Sequence, residues 1–137
     1  MSDLPTDRRF IGAVEGVPAS PSPISNAVVV GDTCWISGQL SVGDDGRYRP
    51  GTPCEEAERA FELVFRIAEA SGFGRDDIVY VDLAFRDLDD LPSVNRLYER
   101  LFLDGRRPAR TVYQAARLPY DGKVKVQAVA ARVSNVP

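Results

Sequence analysis

The stretch RRPARTVYQAARLPYDGKVKVQAVA, residues 106–130, sets the pattern for the fold. Two runs that are typical of strands flank the turn-like sequence Leu-Pro-Tyr-Asp-Gly, so the stretch predicts two strands joined by a turn. The second run places Lys123, Lys125 and Gln127 at alternate positions. Alternate side chains of a strand lie on one face, so these polar groups form either a solvated stripe or part of a binding site.

The residues upstream predict a hairpin and a first helix. The hairpin has strands at Ala27–Val30 and residues 33–37, joined by a Gly-Asp turn. After a polar loop, Thr52 is a good N-cap, with proline in the next position and Glu55 three residues on, as in a capping box. Apolar residues then recur at helical spacing until Gly72 ends the helix.

A further strand, DIVYVDLAFRD, and a second amphipathic helix, LPSVNRLYERLF, complete the pattern. Asp90 is the predicted N-cap of this helix, and Gly105 follows its end. The order β-β-α-β-α-β-β predicts an α+β sandwich in which two helices pack on one face of a mixed sheet. The other face needs a cover, and in so small a chain we expect subunit association to provide it.

Length and composition indicate one domain, residues 1–137, and exclude several kinds of chemistry. Residues 1–22 include a Pro- and Ser-rich run and predict an extended, irregular segment. The sequence has no histidine, which removes Ser-His-Asp triads, histidine metal sites and imidazole bases. The net charge of −3 gives no indication of binding to nucleic acid or to a membrane surface.

The cysteines and the N-terminus bear on the compartment. Cys34 and Cys54 do not form a CxxC motif, and MSDLPTDRRF has no apolar run that would serve as a signal peptide. We therefore expect a cytoplasmic protein with reduced thiols and no membrane span. Cys34, beside Trp35 in a predicted strand, is expected to pack in or near the core, and Cys54 is expected to be structural.

Several segments, in order, resemble the Rid family of reactive-intermediate deaminases, also called YjgF or L-PSP proteins. The hairpin contains Ser-Gly-Gln at residues 37–39, the second helix carries Asn95, and Pro-x-Arg ends at Arg110 before a strand and Leu-Pro. The similarity extends over almost the whole chain, from about Pro23 to Val133.

The resemblance implies a chorismate-mutase-like fold assembled as a homotrimer, with sites in the clefts between neighbouring subunits. It implies hydrolysis of an enamine or imine, such as 2-aminoacrylate or 2-iminopropanoate, to a 2-keto acid and ammonia. No metal or organic cofactor is implied, and the binding partner is a small carboxylate-bearing metabolite.

Arg110 is the residue best suited to hold that carboxylate. A guanidinium donates two parallel N–H···O bonds and so fixes orientation, which a lysine does not. Gly38 would let the backbone approach a small ligand, and Asn95 matches the family's helix asparagine. Without the resemblance, the spacing alone favours an ordinary surface or interface ion pair for Arg110.

The chain departs from the family pattern at four predicted site positions. Lys125 and Gln127 stand where the family has glutamates, the first of which handles the water and the leaving nitrogen. Ile24 replaces a tyrosine near the N-terminus, and Val112 replaces a cysteine two residues after Arg110. The arginine that would bind the carboxylate is therefore present, whereas the glutamate that serves the family as acid and base is absent.

Three interpretations of Lys125 follow. It is a solvated strand residue, or a neutral amine that accepts a proton from water, or a cation that joins Arg110 in binding a more acidic substrate such as a dicarboxylate. The function has alternatives as well. A non-catalytic metabolite binder would keep Arg110 without the chemistry, and RNA cleavage is disfavoured by the charge and the lack of histidine.

Overall fold

A computed structural model describes residues 8–133. Its regular elements, in chain order, are strands β1, β2 and β3, helix α1, strand β4, helix α2, and strands β5 and β6. Their bounds are β1 Arg8–Ile11, β2 Ala27–Val30, β3 Thr33–Gln39, α1 Pro53–Ala70, β4 Ile78–Phe85, α2 Leu91–Leu101, β5 Ala109–Gln114 and β6 Val124–Ala131.

The six strands form one mixed sheet in the order β1-β2-β3-β6-β4-β5. Strands β4 and β5 are parallel and the other neighbouring pairs are antiparallel. Helix α2 connects the parallel pair, as a crossover connection requires. The predicted α+β architecture of two helices on a mixed sheet is confirmed.

Strand β1 is an addition to the predicted order. Residues 1–22 were expected to be irregular, but Arg8–Ile11 pairs antiparallel with β2. The Pro- and Ser-rich run that suggested irregularity begins only after this strand. It therefore gave no indication that the four residues before it form a strand. The part of the predicted segment before Arg8 lies outside the described residues.

The ends of the helices follow the predictions at α1 and differ at α2. At α1, Thr52 and Glu55 form the full capping box, and Gly72, at φ +93°, follows the helix. At α2, Asp90 occupies the N-cap position but its side chain makes no capping hydrogen bond. A short 3-10 turn, Leu88–Asp90, leads into α2 instead, and Asp87 caps that turn by accepting from the Asp89 N–H.

The helices cover one face of the sheet, which we call the helix face. Alternation along the strands places apolar side chains on it, and they pack against both helices in the main core. The buried residues on this face include Cys34, Ile36, Val81, Leu83, Val126 and Ala128. Cys34 is therefore a core residue, as predicted.

The opposite face, the open face, is not covered by any described helix. It carries exposed apolar side chains, among them Phe10 at 66% and Trp35 at 56% of full exposure. Asp82 also lies there, with Oδ1 enclosed and without a hydrogen-bond donor among the described residues. Across residues 8–133, the helices are too short or too polar to cross a bilayer.

Candidate functional site

Arg110 lies on β5, the edge strand, and its side chain turns toward α2. Its Nη1 donates a 2.8 Å hydrogen bond to Asn95 Oδ1. Its guanidinium carbon also lies 4.8 Å from the centre of the Tyr98 ring, in cation–π geometry. The structure therefore brings together Arg110 and Asn95, two of the predicted site residues.

Packing around Arg110 fixes its orientation without neutralising its charge. No carboxylate lies within ion-pair distance of Arg110 among residues 8–133. Burial raises the pKa of Tyr98 to about 12, so the neighbouring ring remains a neutral phenol. Val112, on the same side of β5, packs against the main core and supports the strand. Among residues 8–133 the guanidinium donates one side-chain hydrogen bond, to Asn95, so its other N–H groups are available to a ligand.

A second group of predicted residues lines a cleft of about 480 Å³, which we call the Lys125 cleft. Its walls come from an N-terminal segment, from the end of β3 and from the turn before β6. The lining includes residues 18–22, Ile24, Asn26, residues 38–40, Tyr120 and Lys125. Lys125 is the single charged side chain among the lining residues.

Gly38 lines the Lys125 cleft and packs against the Lys125 side chain. A Cβ added there would lie 3.1 Å from Lys125 Cδ and 3.4 Å from Lys125 Cγ. The strand register between β3 and β6 shifts between Ile36 and Gln39, which gives β3 one extra residue at this point. Gly38 therefore admits the alkyl chain of Lys125 against the β3 backbone.

The other two predicted residues differ in their relation to the cleft. Ile24 is 55% exposed and lines it. Gln127 is exposed on β6 opposite Asp82 and is not among the lining residues. In the polar stripe of Lys123, Lys125 and Gln127, Lys125 therefore lines the cleft and Gln127 does not, while Lys123 pairs with the buried Glu56.

Arg110 and Lys125 point to opposite faces of the sheet. Arg110 pairs with Val81 on β4, and Lys125 pairs with Ala84 on the same strand. Cross-strand partners share a face, and residues three apart on one strand do not. A single chain therefore does not bring the two cations to one ligand, which excludes their joint binding of one substrate within a subunit.

Glu56 is a buried carboxylate that the sequence interpretation did not single out. Its side chain is fully buried and accepts hydrogen bonds from Tyr48 Oη at 2.6 Å and from the Gly51 N–H at 3.1 Å. Lys123 adds two more, from its N–H at 3.0 Å and from Nζ at 3.1 Å. The signal for it was an acid at a core-facing helical position, four residues before Ala60.

These contacts connect α1 to a wall of the Lys125 cleft. Burial alone would raise the Glu56 pKa, but the hydrogen bonds from Tyr48, Lys123 and Gly51 outweigh it and hold the pKa below its usual value. The Tyr48 ring stacks on Tyr120, which lines the cleft, with 6.0 Å between ring centres. Glu56 thus supports that wall from inside the protein.

Residues 8–133 contain no group of three or more His, Cys, Asp or Glu side chains placed to hold a metal ion.

Comparison with known proteins gives consistent matches. Residues 15–132 match the family described as Endoribonuclease L-PSP. A goat (Capra hircus) protein named 2-iminobutanoate/2-iminopropanoate deaminase is 36% identical over 124 residues, which cover 90% of this chain and 89% of the goat protein. An Escherichia coli (strain K12) protein of the same name is 34% identical over 122 residues, 88% of this chain and 95% of its own.

Solved structures share the fold. The crystal structure of RidA from an Antarctic Psychrobacter bacterium superposes with a TM-score of 0.84 at 31% identity. The match covers 90% of this chain and 100% of that one.

Glu56→Gln should destabilise the fold by about 2 kcal/mol at pH 7, because the buried hydrogen bonds to Tyr48 and Lys123 lose their charged acceptor. The folded-state pKa is lowered, so the charged form stabilises the fold above the unfolded-state pKa of about 4.3, and this contribution is lost as pH falls through the folded-state pKa. Urea unfolding of wild type and variant between pH 3 and 7 measures the difference.

Glu55→Gln is the matched control, because glutamine also completes a capping box. It should cost less than Glu56→Gln. Equal losses in the two variants, or a Glu56→Gln effect that does not shrink in acid, would show that Glu56 is not the charged centre of the network.

Proposed function

This chain belongs to the L-PSP family, the Rid family, and on that premise we propose that it hydrolyses small 2-imino and 2-enamino acids. The substrates are of the 2-iminopropanoate and 2-aminoacrylate type, and the products are 2-keto acids and ammonia. Relatives at 36% and 34% identity carry the name of a deaminase of this kind. The similarity extends over nine-tenths of the chain in the first of them.

The observation that supports the proposal most strongly is the environment of Arg110. Its guanidinium is held in place by neighbouring side chains, but no described carboxylate neutralises its charge. One N–H group is used on Asn95, and the Tyr98 ring supports the group from the side. A 2-imino acid has its carboxylate next to the reactive carbon. Two parallel N–H···O bonds from Arg110 would therefore fix both the carboxylate and the carbon that water attacks.

The reaction requires addition of water and loss of ammonia. Water adds to the imine carbon, the C–N bond of the resulting carbinolamine breaks, and a C=O bond replaces C=N, so that R–C(=NH)–COO⁻ and H₂O give R–C(=O)–COO⁻ and NH₃. No electrons are transferred, so the reaction needs no redox partner. It needs a group that takes a proton from water and one that protonates the leaving nitrogen.

The family's acid/base carboxylate is replaced here by Lys125. No residue that lines the Lys125 cleft carries a carboxylate. The proton acceptors that remain are the substrate's own carboxylate, a backbone carbonyl or a neutral Lys125 amine.

The proposed assembly is a homotrimer with each site between two subunits. Arg110 and the Lys125 cleft use opposite faces of one sheet, so a site that contains both needs a second copy. The exposed Trp35 and Phe10 and the unpaired Asp82 oxygen on the open face support burial of that face. A cyclic arrangement then gives equivalent sites.

We also propose that the chain acts as a single domain in the cytoplasm. The family match over residues 15–132 supports the first point. The cysteines, Cys34 buried and Cys54 half-buried, are unpaired, as is usual for proteins of a reducing compartment.

Arg110→Ala should abolish hydrolysis and carboxylate binding while leaving the fold intact. Loss of a desolvated bidentate pair costs on the order of 2–5 kcal/mol. Release of ammonia from 2-aminoacrylate generated in situ measures activity, and calorimetry with 2-ketobutyrate measures binding. The exposed Arg106, changed to Ala, is the matched control and should resemble wild type.

Wild type that binds 2-ketobutyrate but releases no ammonia would replace the proposed deaminase with a non-catalytic binder. Equal affinities of wild type and Arg110→Ala would return Arg110 to a structural role.

The particle in solution should have three times the 15.0 kDa mass of the chain. Static light scattering behind size exclusion at micromolar concentration measures this mass directly. A Trp35→Glu variant, with a charge on the open face, should dissociate toward monomer because burying that charge is costly. A monomeric wild-type particle would contradict the proposed assembly.

A further inference from the structure

We propose that the Lys125 cleft receives a second anionic group of the substrate, so that the preferred substrates are 2-imino dicarboxylates rather than monocarboxylates. The inference rests on the proposed deaminase function and adds a substrate class to it. It follows from the charge, position and size of the cleft.

The charge of the cleft has one source. The lining combines apolar and neutral polar groups with the single ammonium of Lys125. Among residues 8–133, no carboxylate lies within ion-pair distance of that ammonium. A half-buried cation without a counter-ion loses part of its hydration, and an anionic ligand compensates for the loss.

The other lysine of the chain, Lys123, shows how a lysine with a structural role is neutralised in this fold. Lys123, two residues earlier, is 25% exposed and pairs with the buried Glu56 at 3.1 Å. Lys125 faces the opposite side of its strand from the buried Val124 and Val126 and has no such partner in the described chain. The difference leaves one lysine structural and one available for a ligand.

The position of Lys125 is defined by its alkyl chain. The missing side chain at Gly38 lets this chain lie on the β3 backbone, so that the ammonium is presented at the cleft instead of moving freely in solvent. A side chain at Gly38 would come within 3.1 Å of Lys125 Cδ and displace it. Restricting a long side chain in this way lowers the entropy lost on binding.

The size and lining of the cleft suit a longer substrate. In a single chain the cleft has a volume of about 480 Å³, which lies within the range of pockets that hold drug-sized ligands. Ile24 and Tyr120 offer apolar contacts for methylene groups between two carboxylates. In the proposed assembly, Arg110 of one subunit would hold the carboxylate beside the imine, and Lys125 of the next would hold the distal one.

The test compares two imines made in situ by amino-acid oxidases, one from alanine and one from glutamate. Wild type should show a kcat/KM for the dicarboxylate imine that is about tenfold or more above that for the monocarboxylate. Lys125→Met should reduce this ratio to about one or below, mainly through the KM of the dicarboxylate. Lys125→Arg keeps the charge and should retain a ratio above one.

Arg117→Met is the matched control, because it removes one positive charge from an exposed side chain in the connection between β5 and β6. Its ratio should equal that of wild type. A wild type that hydrolyses the alanine-derived imine with no preference for the dicarboxylate, or a ratio unchanged in Lys125→Met, would overturn the inference while the proposed deaminase function stands.

A binding measurement separates the two proposals if neither imine is hydrolysed. That outcome would refute the deaminase function, and calorimetry with 2-oxoglutarate and 2-oxobutanoate would then decide the inference alone. Tighter binding of 2-oxoglutarate that Lys125→Met abolishes supports the anionic subsite. Equal affinities for the two acids in wild type would overturn it.

Discussion

The two-residue period of the central sheet is the constraint on which the rest of the structure depends. Every second side chain of a strand forms the apolar face that α1 and α2 cover. The side chains at the intervening positions form the opposite, open face. Val81 and Leu83 are buried under the helices, whereas Tyr80 and Asp82, on the same strand, are on the open face. The same alternation separates Arg110 from Lys125. The two cations proposed for one site therefore lie on opposite faces of the sheet in each chain.

The charged side chains near the candidate site are either neutralised inside the protein or left without an ion-pair partner. Glu56 is fully buried, but four hydrogen bonds satisfy it, one of them from Lys123 Nζ. This network joins α1, the loop before it and the start of β6, and through Tyr48 it supports the wall formed by Tyr120. Arg110 and Lys125 differ from Lys123, because neither has a carboxylate within ion-pair distance among residues 8–133, and in the proposed function each is therefore free to bind a ligand.

The sequence predicted the elements whose signals are local. Thr52 and Glu55 identified the start of α1, and the resemblance named Arg110 and Asn95 separately, which the structure brings into contact. Strand β1 was missed because a short strand is defined by its pairing with β2, which no local pattern records. Asp90 was assigned as a cap from its position alone, whereas a preceding 3-10 turn changed the backbone geometry there.

The arrangement of the predicted site residues depends on tertiary structure that the sequence does not show locally. The approach of a ligand to the backbone at Gly38 stays a prediction, whereas the packing of Gly38 against Lys125 was not predicted, because it depends on a β-bulge in β3 that changes the local register. Glu56 was overlooked because a carboxylate on an apolar helix stripe looks like an interruption until its four donors are in place, two from the preceding loop and two from Lys123, 67 residues along the chain. Such contacts depend on tertiary structure and leave no local pattern.

The central claim is that one substrate is held by Arg110 of one subunit and by the Lys125 cleft of its neighbour. A crystal structure of the assembled protein with bound 2-ketobutyrate tests it most directly. The account predicts that the carboxylate accepts two N–H···O bonds of about 2.8 Å from Arg110, with the ligand's other end in the neighbouring subunit's cleft. A ligand enclosed by the residues of one chain alone, or bound away from Arg110, would contradict it.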